Sequence, residues 1–516
     1  MGDTKTAKAP AGADEVVAIG PDDDCDRSGA PVFAIVTHVP SPEIGTDYFQ
    51  ETRPELIFAD CTRYIGYITS SSQMPRLAAL ALEAAILERG VGMVIVPGDV
   101  GVMEVEGPTD NRPLAKSRSK IRPLDVDLDT LAERIEASSR PMIFGGEGCR
   151  DARDEALQLA SLLHAPVGYS YRAKDVLEAG NPNAVGMTGL LGWGGAHQGL
   201  AECDLLLLLG TDFPYRDFLP THATIVQIDD SPGHLGRRAN VDLGLVGDVG
   251  HTLRCLLPRL TQRLDRAFLD ATLERHVEAV DRIQAYVNHE GSGQGLRPEM
   301  VATAISDLAA DDAVFTNDTG MCNVWGARYL RMKPDQRLLA SFRHGSMANA
   351  LPQAIGVTIG APDRQVIALC GDGGFSMLMG EMLSLGGLGL PVKVMLFNNS
   401  TLGMVRIEMA VAGYIPFGTD VKNPDFGAIA RAAGIHGERV ERTEDVRPAI
   451  ARAFAHDGPA LIDFVTDPRA LSMPPRTTIA QVRGMALAMT RLVFAGDTAE
   501  VVETIKSNVR NIPQAT

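Results

Sequence analysis

Residues 365–404 read QVIALCGDGGFSMLMGEMLSLGGLGLPVKVMLFNNSTLGM. The apolar run at 366–370 is typical of a parallel strand buried on both faces. A helical stretch and a second apolar run at 392–397 follow it, so the pattern predicts a βαβ unit. Asp372 comes after the first strand and Asn399 after the second. Because ligands of open α/β sheets bind at the carboxyl ends of the strands, we expect these two side chains to lie together.

A carboxylate and an amide oxygen suit Mg²⁺, which takes few protein oxygens and completes its coordination with phosphate and water. Glycines beside them would let backbone N–H groups approach a phosphate. We therefore predict a magnesium-bound diphosphate, with Asp372, Asn399 and Thr401 as metal ligands and Gly373 and Gly374 at the phosphates. A glycine turn with Asp372 as a helix cap would also account for the GDG triplet taken alone.

The GDG triplet and the NN pair, with 24 residues between them, resemble the thiamine-diphosphate signature of the pyruvate oxidase, acetolactate synthase and pyruvate decarboxylase family. The resemblance implies thiamine diphosphate and Mg²⁺ as cofactors. It also implies three doubly wound parallel-sheet α/β domains. By the same resemblance Met347 is the apolar wedge that bends the cofactor, Gly345 and Ser346 flank the diphosphate, and Val405 and Glu408 lie near the substrate. Met347 is equally compatible with a core position, and Glu408 with a solvated helix position.

Composition limits the class of protein. A chain of 516 residues with 45% hydrophobic content is long enough for about three globular domains. The formal net charge of −17 argues against a nucleic-acid partner, since phosphate contacts need clustered Lys and Arg. The seven cysteines include no CxxC pair, which argues against a zinc site or a disulfide framework and favours a reducing compartment. We find no signal peptide and no apolar run of about 18 residues, so we expect a cytoplasmic protein.

The chain divides into seven predicted regions. They are a disordered tail at 1–24, an incomplete pyrimidine-binding domain at 25–106, a linker at 107–125, a central FAD-binding Rossmann-like domain at 126–263, a helical connection at 264–296, a diphosphate-binding domain at 297–480 and an amphipathic tail at 481–516.

The first domain begins with an apolar run at 32–36 that predicts a buried strand. Its segments THVPS, IGTDYFQET and VIVPGDV resemble the later part of the pyrimidine-binding domain, most closely in the quinone-linked pyruvate dehydrogenase branch of the family. The resemblance implies that Phe49 and Gln50 lie over the reacting carbon of the cofactor. A half-buried turn is the alternative. The family's cofactor-activating glutamate belongs to an earlier half that we expect to be missing, and Glu15 does not resemble it in setting.

The central domain contains five consecutive leucines at 205–209, which predict a strand buried on both faces. No GxGxxG motif is present, but GMTGLLG, TDFPYR, QIDDSP and LVGD resemble the FAD domain of the same branch. The resemblance implies flavin and diphosphate contacts from Gly189, Leu190, Leu191, Gly192, Asp212, Phe213, Pro214, Tyr215 and Arg216. Asp229 would bind a ribose hydroxyl or adenine, and its alternative is a turn acid before Ser231.

The predicted tail is helical, with Val501, Val502, Ile505 and Val509 on one face. Such a helix either packs on its own domain or, as the resemblance implies, binds lipid and brings reduced flavin to a membrane quinone.

The first functional hypothesis is therefore an FAD-linked oxidative decarboxylation of pyruvate, or of a similar 2-oxo acid, by a homo-oligomer (dimer or tetramer). The alternatives are an acetolactate synthase-like carboligase with a structural FAD, and a non-catalytic paralogue that lacks the activating glutamate.

Overall fold

The computed structural model describes residues 27–105, 120–288, 294–470, 479–494 and 498–508. The predicted tail at 1–24 with Glu15, most of the predicted linker and Val509 lie outside the described residues. The strands are β1 (Val32–His38), β2 (Tyr64–Tyr67), β3 (Val91–Pro97), β4 (Pro141–Gly145), β5 (Val167–Tyr169), β6 (Ala184–Met187), β7 (Trp193–Gly194), β8 (Leu205–Leu209), β9 (Thr224–Asp229), β10 (Leu243–Val246), β11 (Val314–Asn317), β12 (Arg337–Ala340), β13 (Val366–Gly371), β14 (Lys393–Asn398), β15 (His436–Val440) and β16 (Ala460–Val465).

The helices lie between and after these strands. They are α1 (Pro54–Ile57), α2 (Met74–Glu88), α3 (Gly98–Gly101), α4 (Asp125–Ala137), α5 (Arg153–Leu163), α6 (Lys174–Leu177), α7 (Ala196–Glu202), α8 (Val249–Leu256), α9 (Ala267–Gln284), α10 (Pro298–Leu308), α11 (Met321–Tyr329), α12 (Ala350–Gly360), α13 (Asp372–Met377), α14 (Met382–Leu388), α15 (Gly403–Val411), α16 (Phe426–Ala432), α17 (Thr443–Ala455), α18 (Ile479–Phe494) and α19 (Thr498–Asn508).

The described strands form three sheets, in the orders β1-β3-β2, β10-β9-β8-β4-β5-β6-β7 and β12-β11-β13-β14-β16-β15. Neighbouring strands are parallel except for the antiparallel pair β6 and β7. The prediction of an α/β protein built from several parallel sheets is confirmed. The predicted boundaries between regions stay predictions, although α9 falls within the stretch assigned to the helical connection.

The first sheet corrects the prediction of a buried strand at 32–36. β1 forms, but its side chains are only partly buried and Ile35 is 57% exposed. Among the described strands, β1 pairs with β3 alone, which makes it an edge strand. β3 lies between two strands and is buried under α2, where a Cβ at Gly92 would come 1.9 Å from the carbonyl oxygen of Ala81.

In the central sheet all five leucines of β8 are at most 3% exposed, as predicted for a strand with apolar layers on both faces. One layer contains Leu207 and the other Leu206, as the alternation of side chains along a strand requires. Fully burying each such leucine stabilises the fold by about 1.5–3 kcal/mol.

The third sheet places three strand ends side by side. β13 lies between β11 and β14 in parallel register, with Asn317 opposite Leu369 and Gly371 opposite Phe397. Two apolar layers cover this sheet. The residues that follow β11, β13 and β14 therefore meet at one edge.

The C-terminal helices pack on the third sheet's region. Arg491 of α18 donates to the carbonyl oxygen of Gly413 at 2.7 Å. In α19, the buried Ser507 hydroxyl bonds both Arg297 (2.9 Å) and Asp467 (2.8 Å). These contacts anchor the end of α19 to the domain. In the part of the chain that the structure describes, no helix combines the length and the apolar content needed to cross a membrane.

Candidate functional site

Asp372 lies at the edge where the three strands end, and it is 3% exposed. Its Oδ2 accepts hydrogen bonds from the Ser400 backbone at 2.7 Å and from Asn423 Nδ2 at 2.6 Å, and its Oδ1 accepts from the Gly373 backbone at 2.9 Å. Burial raises the pKa of Asp372, and these hydrogen bonds only partly oppose the rise. The bonds join the loops after β13 and β14, as the sequence predicts. These donors are all neutral, so the carboxylate is a fit partner for a divalent cation.

The two asparagines after β14 face different surroundings. Asn398 is buried and donates to Asp463 at 2.9 Å, which makes it part of the sheet's internal packing. Asn399 is half-buried, and its Oδ1 accepts from the Thr401 backbone at 3.1 Å. The Thr401 hydroxyl is buried and donates to the carbonyl oxygen of Thr419 at 3.1 Å. An amide oxygen has two lone pairs, so Asn399 can still bind the metal, and the metal role of Thr401 stays a prediction.

Asn423 is a site residue that the sequence reasoning missed. Its Nδ2 bonds Asp372 and also Asn398 Oδ1, at 2.8 Å, so one side chain aligns both strand ends. It lies in the loop before α16, where an Asn-Pro turn is the only local signal in the sequence.

The segment at 345–347 lies against the glycines that follow β13. Gly345 has a left-handed φ of +73°, and the Ser346 backbone N–H donates to the Ser341 hydroxyl at 2.9 Å. A Cβ at Gly373 would lie 2.8 Å from Leu402 Cδ2 and 3.5 Å from Met347 Cε. Met347 is 37% exposed, so it is not a core side chain. Its predicted role as a wedge against the cofactor stays a prediction.

Gly374 packs closely against other residues of the chain. A Cβ there would come 2.1 Å from Asp318 Oδ2 and 3.1 Å from the Ala348 nitrogen. The missing side chain thus admits these protein atoms, and the predicted phosphate contact of Gly374 stays a prediction.

Asp318, which follows β11, is a second missed residue. It is 1% exposed, and its Oδ1 accepts from the backbone of Thr319 (3.0 Å) and from the backbone (3.1 Å) and side chain (3.2 Å) of Asn349. Burial raises the pKa of Asp318 to about 7. Among the described residues, neither Asp318 Oδ2 nor Asn349 Oδ1 has a hydrogen-bond partner. Asp318 Oδ2 lies beside Gly374, and buried, unsatisfied polar atoms of this kind fit a site that takes a polar ligand.

The predicted substrate residues are exposed. Val405 is 46% exposed on α15, which follows the loop of Asn399, and Glu408 is exposed on the same helix. Phe49 is 78% exposed, on a turn in which Glu51 accepts from the Tyr48 backbone at 3.1 Å. Gln50 in this turn has a φ of +65°. None of the contacts described for this chain joins Phe49 or Gln50 to Asp372, so their cofactor role stays a prediction.

The predicted flavin segments come together around a tight turn. The Gly192 N–H donates to the Gly189 carbonyl at 3.0 Å, and Gly189 has a φ of +98°. A Cβ at Gly189 would lie 3.0 Å from Tyr215 and 3.1 Å from Phe213. The buried Thr188 hydroxyl has no hydrogen-bond partner within the described chain. This orphaned group beside the turn is compatible with a bound ligand.

The other residues predicted to contact the flavin have different surroundings. Leu190 is 48% exposed, Leu191 packs against the apolar layers of both the central and the third sheet, and Pro214 is exposed. Arg216 lines a cavity of about 940 Å³ at the β8–β9 connection, together with Arg238 and His222. Gly189, Gly192 and Asp229 are not among the described residues that line this cavity.

The two acidic residues predicted to contact FAD, Asp212 and Asp229, bond to other residues of this chain. Asp212 accepts from Arg237 and, at 3.1 Å, from Arg238. Burial opposes ionisation here, but the two arginines outweigh it and lower the pKa of Asp212. Asp229 Oδ1 contacts His234 Nδ1 at 2.8 Å and accepts from the Ser231 backbone at 3.0 Å, the geometry of a turn acid. Burial raises the pKa of Asp229.

Comparison with known proteins adds independent findings. The model of the thiamine pyrophosphate enzyme C-terminal TPP-binding domain matches residues 318–464, and that of the central domain matches residues 128–256. The Bacillus subtilis protein YdaP, described by its name as thiamine pyrophosphate-containing, is 33% identical over 94% of this chain and 84% of its own length. An acetolactate synthase of Mycobacterium bovis is 30% identical over 87% of this chain and 76% of its own. A pyruvate oxidase of Lactiplantibacillus plantarum is 28% identical over 86% and 74%.

Proposed function

Since the chain belongs to the thiamine pyrophosphate enzyme family, we propose that it oxidatively decarboxylates pyruvate or a similar 2-oxo acid, using thiamine diphosphate, Mg²⁺ and FAD. The junction of Asp372, the loop after β14 and Met347 at Gly373 carries the proposal. It combines an oxygen ligand for the metal with an apolar surface on one side of the same glycine loop.

The residues of this chain bind and orient the cofactor. When bound, thiamine diphosphate supplies the electron sink for loss of CO₂, and FAD accepts two electrons. Asp372 and Asn399 would hold Mg²⁺, while Asn423 and the Ser400 backbone keep the carboxylate fixed. Met347 and Leu402 lie beside Gly373 and give that side of the loop an apolar surface. Such outer contacts fix the geometry of metal ligands and thereby the affinity for the metal.

The FAD part of the proposal is supported by the contact of the turn at 189–192 with Phe213 and Tyr215, and by the Thr188 hydroxyl, which is unsatisfied within the described chain. Arg216 is exposed, and in this proposal its guanidinium pairs with an anionic group of the ligand.

The electron acceptor in this proposal is a membrane quinone. Val502 and Ile505 of α19 are 48% and 47% exposed, which supports a lipid contact, while Ser507 anchors the helix to the domain. A homo-oligomer is also part of the proposal. The exposed Phe49 and Gln50 are accessible to a second copy of the chain.

A second candidate is a carboligase of acetolactate synthase type. The chain is 30% identical to an acetolactate synthase and 28% identical to a pyruvate oxidase, and this near-equal identity favours the second candidate.

Anaerobic addition of pyruvate to the protein loaded with thiamine diphosphate, Mg²⁺ and FAD tests the proposal. We expect the visible absorbance of the flavin to bleach as acetate and CO₂ form, and Asp372→Ala to remain coloured. Acetolactate formation without bleaching would replace the proposal by the carboligase. A loaded protein that gives neither result would be a non-catalytic paralogue.

A further inference from the structure

Arg328 lies in the last turn of α11, the helix that follows Asp318, yet its side chain belongs to another part of the molecule. It is 7% exposed and crosses to the central sheet's region. Its Nε donates to the carbonyl oxygen of Leu191 at 3.3 Å, and its Nη2 donates to that of Gly192 at 3.0 Å. These are the last two carbonyls of the turn at 189–192.

The turn has little room to compensate for loss of these bonds. A Cβ at Gly192 would come 2.7 Å from the Cα of Thr188, so the backbone folds tightly on itself. Burial lowers the pKa of Arg328 to about 10, which still leaves the guanidinium charged at neutral pH. Two charge-assisted hydrogen bonds from one planar group fix both carbonyls in direction.

The other end of α11 is fixed to the candidate diphosphate site. The Cys322 thiol donates to the carbonyl oxygen of Asp318 at 3.4 Å, and Asp318 lies against Gly374. Next to Asp318, Asn317 donates to the Tyr171 hydroxyl of the central region at 2.7 Å. At about 1.5 Å per residue, the seven steps from Met321 to Arg328 within this helix span about 10 Å. One short helix thus connects the two candidate cofactor regions.

We propose that Arg328 is a positioning residue that fixes the turn at 189–192, and the flavin on it, relative to the diphosphate site. The inference rests on the proposed function. In the proposed reaction, pyruvate, water and oxidised FAD give acetate, CO₂ and FADH₂, so two electrons and two protons reach the flavin. Their transfer depends on how the flavin is oriented and how far it lies from the thiamine diphosphate. A displacement of about 1 Å can cost about 100-fold in rate.

The test compares Arg328→Met, Arg328→Lys and the control Arg331→Met. Arg331 is a nearby exposed arginine whose side chain bonds Gln284 at 2.9 Å. We expect Arg328→Met to bind thiamine diphosphate as the parent does, while its flavin spectrum shifts and its single-turnover flavin reduction by pyruvate slows about 10–100-fold. Arg328→Lys should recover part of the rate, and Arg331→Met should match the parent. In cofactor-free protein, amide exchange at 188–193 should be faster in Arg328→Met alone.

The outcomes separate the two proposals. If the parent protein takes up no flavin, or pyruvate does not reduce it, the proposed function fails. If the parent is reduced and Arg328→Met is reduced as fast with an unshifted spectrum, only the role of Arg328 fails, even if its unfolding temperature falls. Should Arg328→Met not fold, Arg328→Lys decides. A parent-like reduction rate in that folded variant, with parent-like amide exchange, would overturn the inference.

Discussion

The carboxylates of the two candidate cofactor regions differ in the charge of their partners. At the edge of the third sheet, Asp372 and Asp318 accept hydrogen bonds from backbone N–H groups and asparagine amides, which are neutral. In the central region Asp212 is held by Arg237 and Arg238. The pKa shifts follow this difference. Burial raises the pKa of Asp372, whereas the arginines overcome burial and lower the pKa of Asp212.

Asp372 is held by neutral donors and can still bind a cation, whereas Asp212 is already paired with two arginines. A buried carboxylate among neutral donors loses solvation without gaining an opposite charge, and a bound metal ion supplies that charge. A carboxylate already paired with arginine has no such need and contributes to the shape of its loop. We therefore expect changes at the third sheet to affect magnesium and thiamine diphosphate, and changes at Asp212 to affect the central region alone.

The largest expected effect is that of Asp372→Ala. Even outer partners of metal ligands are worth about 10–100-fold in metal affinity, so loss of the ligand should weaken magnesium-dependent binding of thiamine diphosphate by more than about 100-fold. Calorimetric titration in the presence of Mg²⁺ measures this. Asp212→Ala is the matched control and should keep the parent affinity. Equal affinities for Asp372→Ala and the parent would show that the metal binds elsewhere.

Asn423→Ala should have the next largest effect. The variant keeps Asp372 but removes the amide that aligns it with Asn398, so affinity for magnesium-bound thiamine diphosphate should fall about 10–100-fold. The neighbouring Lys422 provides the control, Lys422→Ala, in the same loop. A loss no greater than in Lys422→Ala would mean that the backbone N–H groups alone orient the carboxylate.

The sequence predicted which segments form strands better than it predicted which strands lie next to each other. β8 and β1 both read as apolar runs, and both form. β8 is buried on both faces, whereas β1 leaves Ile35 57% exposed. The difference arises from sheet order, because among the described strands β1 has one neighbour and β8 has two. Sheet order depends on long-range pairing, which a local apolar pattern does not encode.

The candidate site was predictable where a residue directly follows a strand. Asp372 and Asn399 were predicted by that rule, and the same rule applied to the strand at 314–317 would have pointed to Asp318. Asn423 and Arg328 carry no such signal. Each reaches its partners across a long stretch of sequence, 51 residues from Asn423 to Asp372 and 136 from Arg328 to Gly192. Only the folded chain brings these residues together.

Gly374→Ala tests the packing of the third sheet's edge. Its Cβ would overlap Asp318 Oδ2 and press on the Ala348 nitrogen, so Asp318 or the backbone must move. Overpacking of this kind should lower the free energy of unfolding by about 1–2 kcal/mol. A Cβ at Gly387 in α14 would meet no atom of the described chain within 4 Å. Gly387→Ala should therefore be neutral or slightly stabilising. Urea unfolding compares the two, and equal losses would contradict the close contact.

The smallest expected effect is a pH dependence that comes from Asp318. Burial raises the pKa of this group from 3.8 to about 7, so the folded protein holds the proton more tightly than the unfolded chain does. The stability that this proton contributes is complete below about pH 4 and is lost as the pH rises through about 7. Between about pH 6 and pH 7.5 the loss should be about 1 kcal/mol.

Asp318→Asn removes this proton equilibrium while it keeps an oxygen for Asn349. In urea unfolding without Mg²⁺ or thiamine diphosphate, the parent should lose stability relative to Asp318→Asn over that pH range. Asp270→Asn, on the exposed face of α9, should follow the parent. If the parent and Asp318→Asn changed in parallel, Asp318 would be ionised throughout the range. The difference in the direction of the pKa shift from the arginine-paired Asp212 would then not apply to Asp318, which follows β11.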